Sequence, residues 1–287
     1  MTKVAIIGLS GKSIFMEVDD FHKKGETVKA KSLHIEPGGK GYNQAIACKR
    51  LGSEVSYLTC VGNDNDGHEC EQYMQKEGVK TFFIYKDVTP LATILTNAQG
   101  ENEVTVYQDE KSTLTVADLD IFYDEIKNSD ILLIQEEIPF EVLKEALKYA
   151  YDNNVYTILN PAPSVYNINS LLPYINLLIP NETEAQAIFG ADFKEIEARK
   201  QDVIITLGDK GAIVYTKEKI EKIASHKVRV VDTTGAGDVF CASIAMFIKE
   251  KGIIEATRIA NTIASLHVQK KYVMNAIPTL DDVENLI

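Results

Sequence analysis

The segment 228–241, VRVVDTTGAGDVFC, holds the residue types in this chain best suited to chemistry. Gly235, Ala236 and Gly237 carry little or no side chain, so the backbone there can approach a ligand closely. They lead into a predicted helix whose first-turn N–H groups lack intrahelical partners and would face an anion. Asp238 falls in that first turn, which puts a carboxylate beside the place where a transferring phosphoryl group would be cradled. A strand is expected just ahead, running into Asp232, Thr233 and Thr234. A plain helix cap fits the same residues.

A second cluster reads Pro37, Gly38, Gly39, Lys40, Gly41, Tyr42, Asn43, Gln44, Ala45. Three glycines in four positions again bring backbone donors to a helix entry. Lys40 and Asn43 add polar donors suited to hydroxyl groups. Tyr42, inside the turn, is the aromatic expected to reach a substrate. Phe15 and Phe21 are further aromatics that could stack on a base, although such residues more often pack.

Asn181 and Glu184 form a third cluster. At i and i+3 of a helix start they face the same side, and together they could hold water on Mg²⁺, which keeps much of its hydration shell. The same pair also has the spacing of a capping box. Residues 8–13, GLSGKS, imitate a phosphate-binding loop, but that motif needs a glycine where Ile6 stands. The segment after it also has the alternation of a strand. No phosphate site is expected there.

The elements that must position these clusters follow from the apolar pattern. Continuous β-branched and aliphatic runs at 4–9, 55–60, 131–134, 155–159, 177–179 and 203–207 are those of strands buried on both faces. Helical patterns lie between them at 41–51, 67–77, 140–153 and 181–189. Strand alternating with helix predicts an α/β fold, a doubly wound, mostly parallel sheet with helices on both faces. A hairpin at 212–216 and 219–223 follows, then two long helical segments at 235–250 and 253–270. Segments 13–35 and 91–107 alternate instead around polar tips. They predict a small antiparallel sheet standing off a main domain made of 1–12, 36–90 and 108–287, and acting as a lid over a pocket.

Composition narrows the function classes. Lys and Arg number 30 against 42 Asp and Glu, a formal charge of −12, which argues against a nucleic-acid partner. No apolar run reaches the ~20 residues of a membrane helix, and 4–9 is too short for a signal-peptide core, so a cytoplasmic protein is expected. Cys48, Cys60, Cys70 and Cys241 have no zinc or redox spacing and are expected to be free thiols. The five histidines show no metalloenzyme spacing.

Taken together, the motifs resemble those of the ribokinase (PfkB-type) carbohydrate kinase family. The stretch from Gly38 to Ala45 is similar to its first signature, and Asp232 to Asp238 to its second. Asn160-Pro161-Ala162-Pro163, the Asn181/Glu184 pair, and Thr206-Leu207-Gly208 with Gly211 fall between them in the family's order. The resemblance spans nearly the whole chain and implies a ribokinase-like fold with a β lid formed by the two insertions. It implies ATP-dependent phosphorylation of a hydroxymethyl group on a sugar or nucleoside, with Mg²⁺. Asp238 would be the base, and the N–H groups of Gly235, Ala236 and Gly237 the anion hole. Gly39, Lys40, Asn43 and Glu137 match hydroxyl-contacting positions. Asn181 and Glu184 match the Mg²⁺–water positions, Thr206, Gly208 and Gly211 the nucleotide loop, and Asn261 the adenine flank. The lid also offers a surface for a homodimer.

The sequence departs from that pattern twice. Where ribokinases place an Asn-x-Asp pair on the sugar hydroxyls, this chain has Gly11 and Ser13, which speaks against ribose. Of a K⁺ site, Asp232 and the Thr234 carbonyl are retained, while 270–278, KKYVMNAIP, replaces the usual Gly-Ala pair. The main reading is a sugar kinase. A nucleoside kinase of the same family and a non-catalytic ligand sensor on the same fold are the alternatives, and the intact Asp238 and glycines count against the sensor.

Overall fold

A computed structural model describes residues 1–99, 101–190, 196 and 201–286; part of the expected polar tip, Gly100, lies outside them. In chain order the strands are β1 (Lys3–Ile7), β2 (Gly11–Glu17), β3 (Ser32–Gly38), β4 (Glu54–Gly62), β5 (Lys80–Lys86), β6 (Leu91–Thr96), β7 (Asn102–Tyr107), β8 (Ile131–Gln135), β9 (Tyr156–Asn160), β10 (Leu177–Leu178), β11 (Asp202–Thr206), β12 (Ala212–Tyr215) and β13 (Ile220–Ile223). The helices are α1 (Lys40–Arg50), α2 (Asn65–Lys76), α3 (Tyr123–Lys127), α4 (Phe140–Asp152), α5 (Glu182–Phe189), α6 (Ala236–His267) and α7 (Leu280–Val283). Gly252, at φ 76°, breaks α6 into the two helical segments expected from the sequence.

Nine strands form the main sheet in the order β13-β12-β11-β10-β9-β8-β1-β4-β5, parallel apart from the β11–β12–β13 meander. Successive side chains point to opposite faces of a strand, and the core divides accordingly. Val4 and Ile6 join one cluster with Tyr42, Ala45, Met74 and Ile244, whereas Ala5 and Ile7 join the other with Leu143, Ala146 and Phe189. Helices α1, α2 and α6 therefore cover one face, and α3, α4 and α5 the other. All four cysteines are buried and free.

The second sheet has the order β3-β2-β6-β7. Its hairpins are antiparallel, but β2 and β6 pair in parallel, so the sheet is mixed rather than antiparallel as expected. The reason is directional. Both hairpins leave the main sheet on the same side, with Lys12 N–H bonded to the Pro90 carbonyl at 2.9 Å, so their first strands run the same way. Lys12 lies within β2 and pairs with Asp66 (3.0 Å) and Glu69 of α2, which disposes of the phosphate-loop imitation.

Two expectations fail locally. Residues 228–231 are not a strand; they lie beyond the sheet-edge strand β13, and Val230 and Val231 are exposed. Strand β5 was not foreseen, because it is half-buried along its length with no clear alternation.

The glycines of the first cluster act mainly within the chain. A Cβ on Gly41 would lie 2.6 Å from Gly8 Cα and 2.9 Å from Gln135 Oε1, so α1 starts in backbone contact with the end of β1. Gly41→Ala should destabilise the protein by about 1–3 kcal/mol, read as a lower midpoint in urea. An unchanged midpoint would mean that the start of α1 can lift off β1 freely.

Candidate active site

The candidate site lies at the carboxyl ends of the parallel strands, where ligands bind in open α/β sheets. Helices α1 and α6 start there side by side. Asn43 Nδ2 donates to Asp238 Oδ2 at 2.8 Å, and Gln44 Nε2 donates to Asp238 Oδ1 at 3.1 Å. Gln44 is itself held: its Nε2 also reaches Asn160 Oδ1 (3.2 Å), and its Oε1 accepts from Gln135 Nε2 (2.5 Å). Asn160 Nδ2 donates in turn to the Ile179 carbonyl at 2.9 Å. A relay of amides from the ends of β8 and β9 thus fixes Asp238, which is 6 % exposed. Each carboxylate oxygen keeps a lone pair for a further donor.

Burial pushes the Asp238 carboxyl above its ordinary range, opposed by Lys40 and by the amides of Asn43 and Gln44. The result is a stronger base than a solvated carboxylate. Glu137, just past β8, has its carboxyl pushed by burial up to about 7, against the pull of Lys40. Its Oε2 accepts the Lys40 backbone N–H at 2.8 Å. Burial also raises Glu184, opposed by the Asn181 N–H and by Lys40. For Lys40, burial works against the charge, but Asp238, Glu137 and Glu184 outweigh it and hold the ammonium pKa above its usual value. Lys40 is the counter-charge to three carboxylates.

At the start of α6, Gly235 takes a left-handed conformation (φ 79°, ψ −2°) that turns the chain into the helix. Nothing lies within 4 Å of a Cβ built on Gly237, so that side of the turn is open. Ala236 N–H donates to the Thr233 carbonyl at 3.2 Å, a long bond that an entering anion would compete with. His267, buried near the far end of α6, returns to this turn with Nε2 2.7 Å from the Thr234 carbonyl.

Asn181 and Glu184 form the full capping box of α5: Asn181 Oδ1 accepts Glu184 N–H, and Glu184 Oε2 accepts Asn181 N–H, both at 2.8 Å. The cap engages one carboxylate oxygen, Oε2, and the carboxyl feels the charges of Lys40 and Asp238. No three His, Cys, Asp or Glu residues converge on a metal among the described residues. Thr206, at the end of β11, bridges to Asn181. Gly208 and Gly211 form the turn beyond it with φ of 59° and 94°. Asn261 spends its amide nitrogen on the carbonyls of Ile223 and Ala224 (3.4 and 3.3 Å), so it anchors the chain after β13. Gly39 turns at φ 110° against the Leu9 carbonyl.

Tyr42 is a correction. It is fully buried, donates its hydroxyl to the Cys70 carbonyl at 2.9 Å, and meets Tyr57 edge to face. The helical turn after Gly41 aims it into the core, and it does not reach the site. Phe15 likewise packs, against Tyr272 and His34. The supporting roles of Gln44, Gln135, Asn160 and His267 were not foreseen, although Gln44 and Asn160 stand inside the quoted motifs.

A small cavity of about 40 Å³ is bounded by Leu9, Gly39 and Glu137 and, from the second sheet, by Gly11, Ser13, Ala92 and Val106. A Cβ on Gly11 would lie 2.3 Å from the Pro90 carbonyl oxygen. The chain has closed around this position, and a larger side chain would need the backbone to move.

The sequence matches the family described as pfkB family carbohydrate kinase over residues 1–280. It is 33 % identical to the ribokinase of Bacillus subtilis, over 100 % of both chains. It is 28 % identical to the deoxyribokinase of Salmonella typhi, over 97 % of this chain and 96 % of the other. The structure of Arabidopsis thaliana ribokinase complexed with ribose and ATP superposes with a TM-score of 0.85 at 27 % identity, covering 100 % of this chain and 99 % of that one.

Asp238→Asn should lower turnover by at least about a thousandfold while preserving the fold. Asn43 Oδ1 is buried without a partner, so a flip of the Asn43 amide satisfies the new Asn. The raised carboxyl also makes a pH prediction. Between the unfolded and folded pKa of Asp238 the native state binds the extra proton, so stability falls as pH rises through that window, and the deficit persists above it. The variant's melting temperature relative to the parent should therefore be higher at about pH 8 than at about pH 4. A variant that keeps most of its rate would remove Asp238 from the role of base.

Proposed function

The chain belongs to the pfkB family of carbohydrate kinases, and on that premise we propose that Asp238 is its catalytic base and that the turn at Gly235, Ala236 and Gly237 is its anion hole. It is an ATP-dependent phosphotransferase whose acceptor is a hydroxyl of a sugar or nucleoside. The observation that carries the residue assignment is the buried Asp238 carboxylate, held on both oxygens by side-chain amides in the first turn of a helix with an open glycine face. Asp238 accepts the proton of the acceptor hydroxyl as that oxygen forms its bond to the γ-phosphorus, and ADP leaves carrying the former bridging oxygen. The developing charge on the transferred group faces the N–H groups at the start of α6, where each such donor is worth about 3–4 kcal/mol. Lys40 balances the carboxylates and, with Asn43, Gly39 and Glu137, orients the acceptor. Thr206, Gly208, Gly211 and Asn261 belong to the nucleotide side.

Asn181 and Glu184 would hold a hydrated Mg²⁺, which would supply charge neutralisation, and the proton chemistry falls to Asp238. The second sheet serves as the lid, formed by 13–35 and 91–107 on the main domain of 1–12, 36–90 and 108–287, since Ala92 and Val106 border a cavity that Gly39 and Glu137 also line. Register puts Ile14, Met16, Leu33, Ile35 and Leu95 on its opposite face, with Leu33 63 % and Ile35 47 % exposed. An apolar face of this kind suits a second copy of the chain. Buried free thiols, and no described helix long and apolar enough to cross a membrane, support a cytoplasmic setting.

The acceptor is a sugar or sugar-like molecule other than ribose. Gly11 offers no side chain and Ser13 offers a neutral hydroxyl where a diol would call for charged acceptors. A desolvated hydroxyl left unpaired costs about 1–3 kcal/mol. In an ADP-release assay over pentoses, deoxypentoses, hexoses, their phosphates and nucleosides, 2-deoxyribose should exceed ribose by about tenfold or more in kcat/KM. Preference for ribose would overturn this reading, and preference for a nucleoside would move the acceptor to that class. Glu184→Gln keeps the cap, since Gln serves at that position, but loses the charge. It should leave the melting temperature near the parent's and raise the Mg²⁺ concentration for half-maximal rate about tenfold; unchanged Mg²⁺ dependence would reduce Glu184 to a cap.

A further inference from the structure

Thr234 immediately precedes the left-handed Gly235, and three of its polar groups are bound. Its N–H donates to Asp232 Oδ1 (2.9 Å), its hydroxyl meets Asn102 Nδ2 from β7 (3.2 Å), and its carbonyl lies 2.7 Å from His267 Nε2. A carbonyl oxygen can only accept, so Nε2 carries the ring proton. Asp232 Oδ2 accepts the Tyr272 N–H at 3.0 Å. The two groups that the resemblance assigned to a monovalent cation are thus already engaged by protein donors.

The space beneath the turn is filled as well. A Cβ on Gly235 would lie 2.9 Å from Val273 Cγ1 and 3.4 Å from His267 Nε2. A cation seated on the Thr234 carbonyl would face the positive end of the His267 N–H dipole at close range, with apolar Val273 beside it. Tyr272 sits at φ 65° and stacks on His34 with ring centroids 3.8 Å apart. These residues do not fit K⁺.

We propose that His267 replaces the monovalent cation in this protein: its Nε2–H holds the Thr234 carbonyl, fixes the turn that aims the N–H groups of Gly235, Ala236 and Gly237, and makes phosphoryl transfer independent of K⁺. His267 is a positioning residue, and its effect on rate rests on the anion-hole reading given above. The His267 N–H supplies at the Thr234 carbonyl the contact that a cation would otherwise make.

Two readouts test this on the full-length protein. Thermal melting and steady-state rates are measured in choline chloride and in potassium chloride of equal ionic strength. The parent should show the same melting temperature and kcat in both salts. His267→Ala should lose about tenfold or more in kcat with acceptor KM nearly unchanged, and should gain a K⁺-specific rise in melting temperature. His267→Gln, which can restore an N–H donor, should recover most of the lost rate. Stabilisation or activation of the parent by K⁺ over choline would overturn the proposal, as would parental kcat in His267→Ala. If His267→Ala does not fold, the parent in the two salts and His267→Gln decide. Should no acceptor be turned over, the kinase reading of the site fails separately, and the melting arm still decides whether K⁺ has a site.

Discussion

A carboxylate buried beside two others is the constraint around which the rest of the molecule is arranged. Taking Asp238 out of water disfavours its charge, and its charge in turn raises the carboxyls of Glu137 and Glu184. The ionised form is kept accessible by three things at once: the Lys40 ammonium, two amide donors, and the N-terminal end of α6, where negative charge is favoured. All three require α1 and α6 to begin at nearly the same point in space. That requirement explains the glycine at position 41, where any side chain would push α1 off the end of β1. It also explains why the amides continue into the sheet, because Gln135 and Asn160 orient Gln44 as Gln44 orients Asp238.

Sheet topology supplies that convergence. From β1 the chain builds outward to β4 and β5 on one side, and later to β8 and beyond on the other, so the strand order reverses between β1 and β8. The carboxyl ends of strands diverge at such a point and leave a crevice. Gly8 beyond β1 and Gln135 and Glu137 at the end of β8 flank it. The two hairpins of the second sheet depart after β1 and after β5, both at carboxyl ends. They therefore stand over the crevice with no long connection.

The strands buried on both faces were legible because their apolar runs admit little else, and runs such as 131–134 fall within observed elements. The motifs of the candidate site were legible because each is local: a glycine turn and the polar residue following it are neighbours in sequence. What was hidden is tertiary. Gln44 and Gln135 are far apart in the chain, and a lone glutamine carries no periodic signal. Tyr42 shows the converse error, since membership of a functional turn says nothing about direction, and one step along a helix separates Asn43, on the site, from a tyrosine in the core. Strand β5 lacks alternation because it lies at the sheet edge and is half-buried throughout. Residues 228–231 have strand composition but no neighbouring strand to pair with.

The two departures from the family pattern are physically joined. Ser13 pairs in register with Glu36 across β2 and β3, and Glu36 Oε1 accepts the N–H groups of Val273 (2.8 Å) and Met274 (3.3 Å). Its other oxygen meets His34 Nε2 at 3.0 Å, and the His34 ring stacks on Tyr272. Ser13 therefore stands across the strand pair from a buried carboxylate that holds the 270–278 segment. Glu17 and Lys271 add an ion pair across the same boundary. Strand β3 is thus tied to the loop that carries Tyr272 and Val273, and Val273 lies against Gly235. The second sheet, the 270–278 segment and the turn at Gly235 are thus parts of one packed unit, so the two positions at which the sequence departs from the family pattern are physically connected.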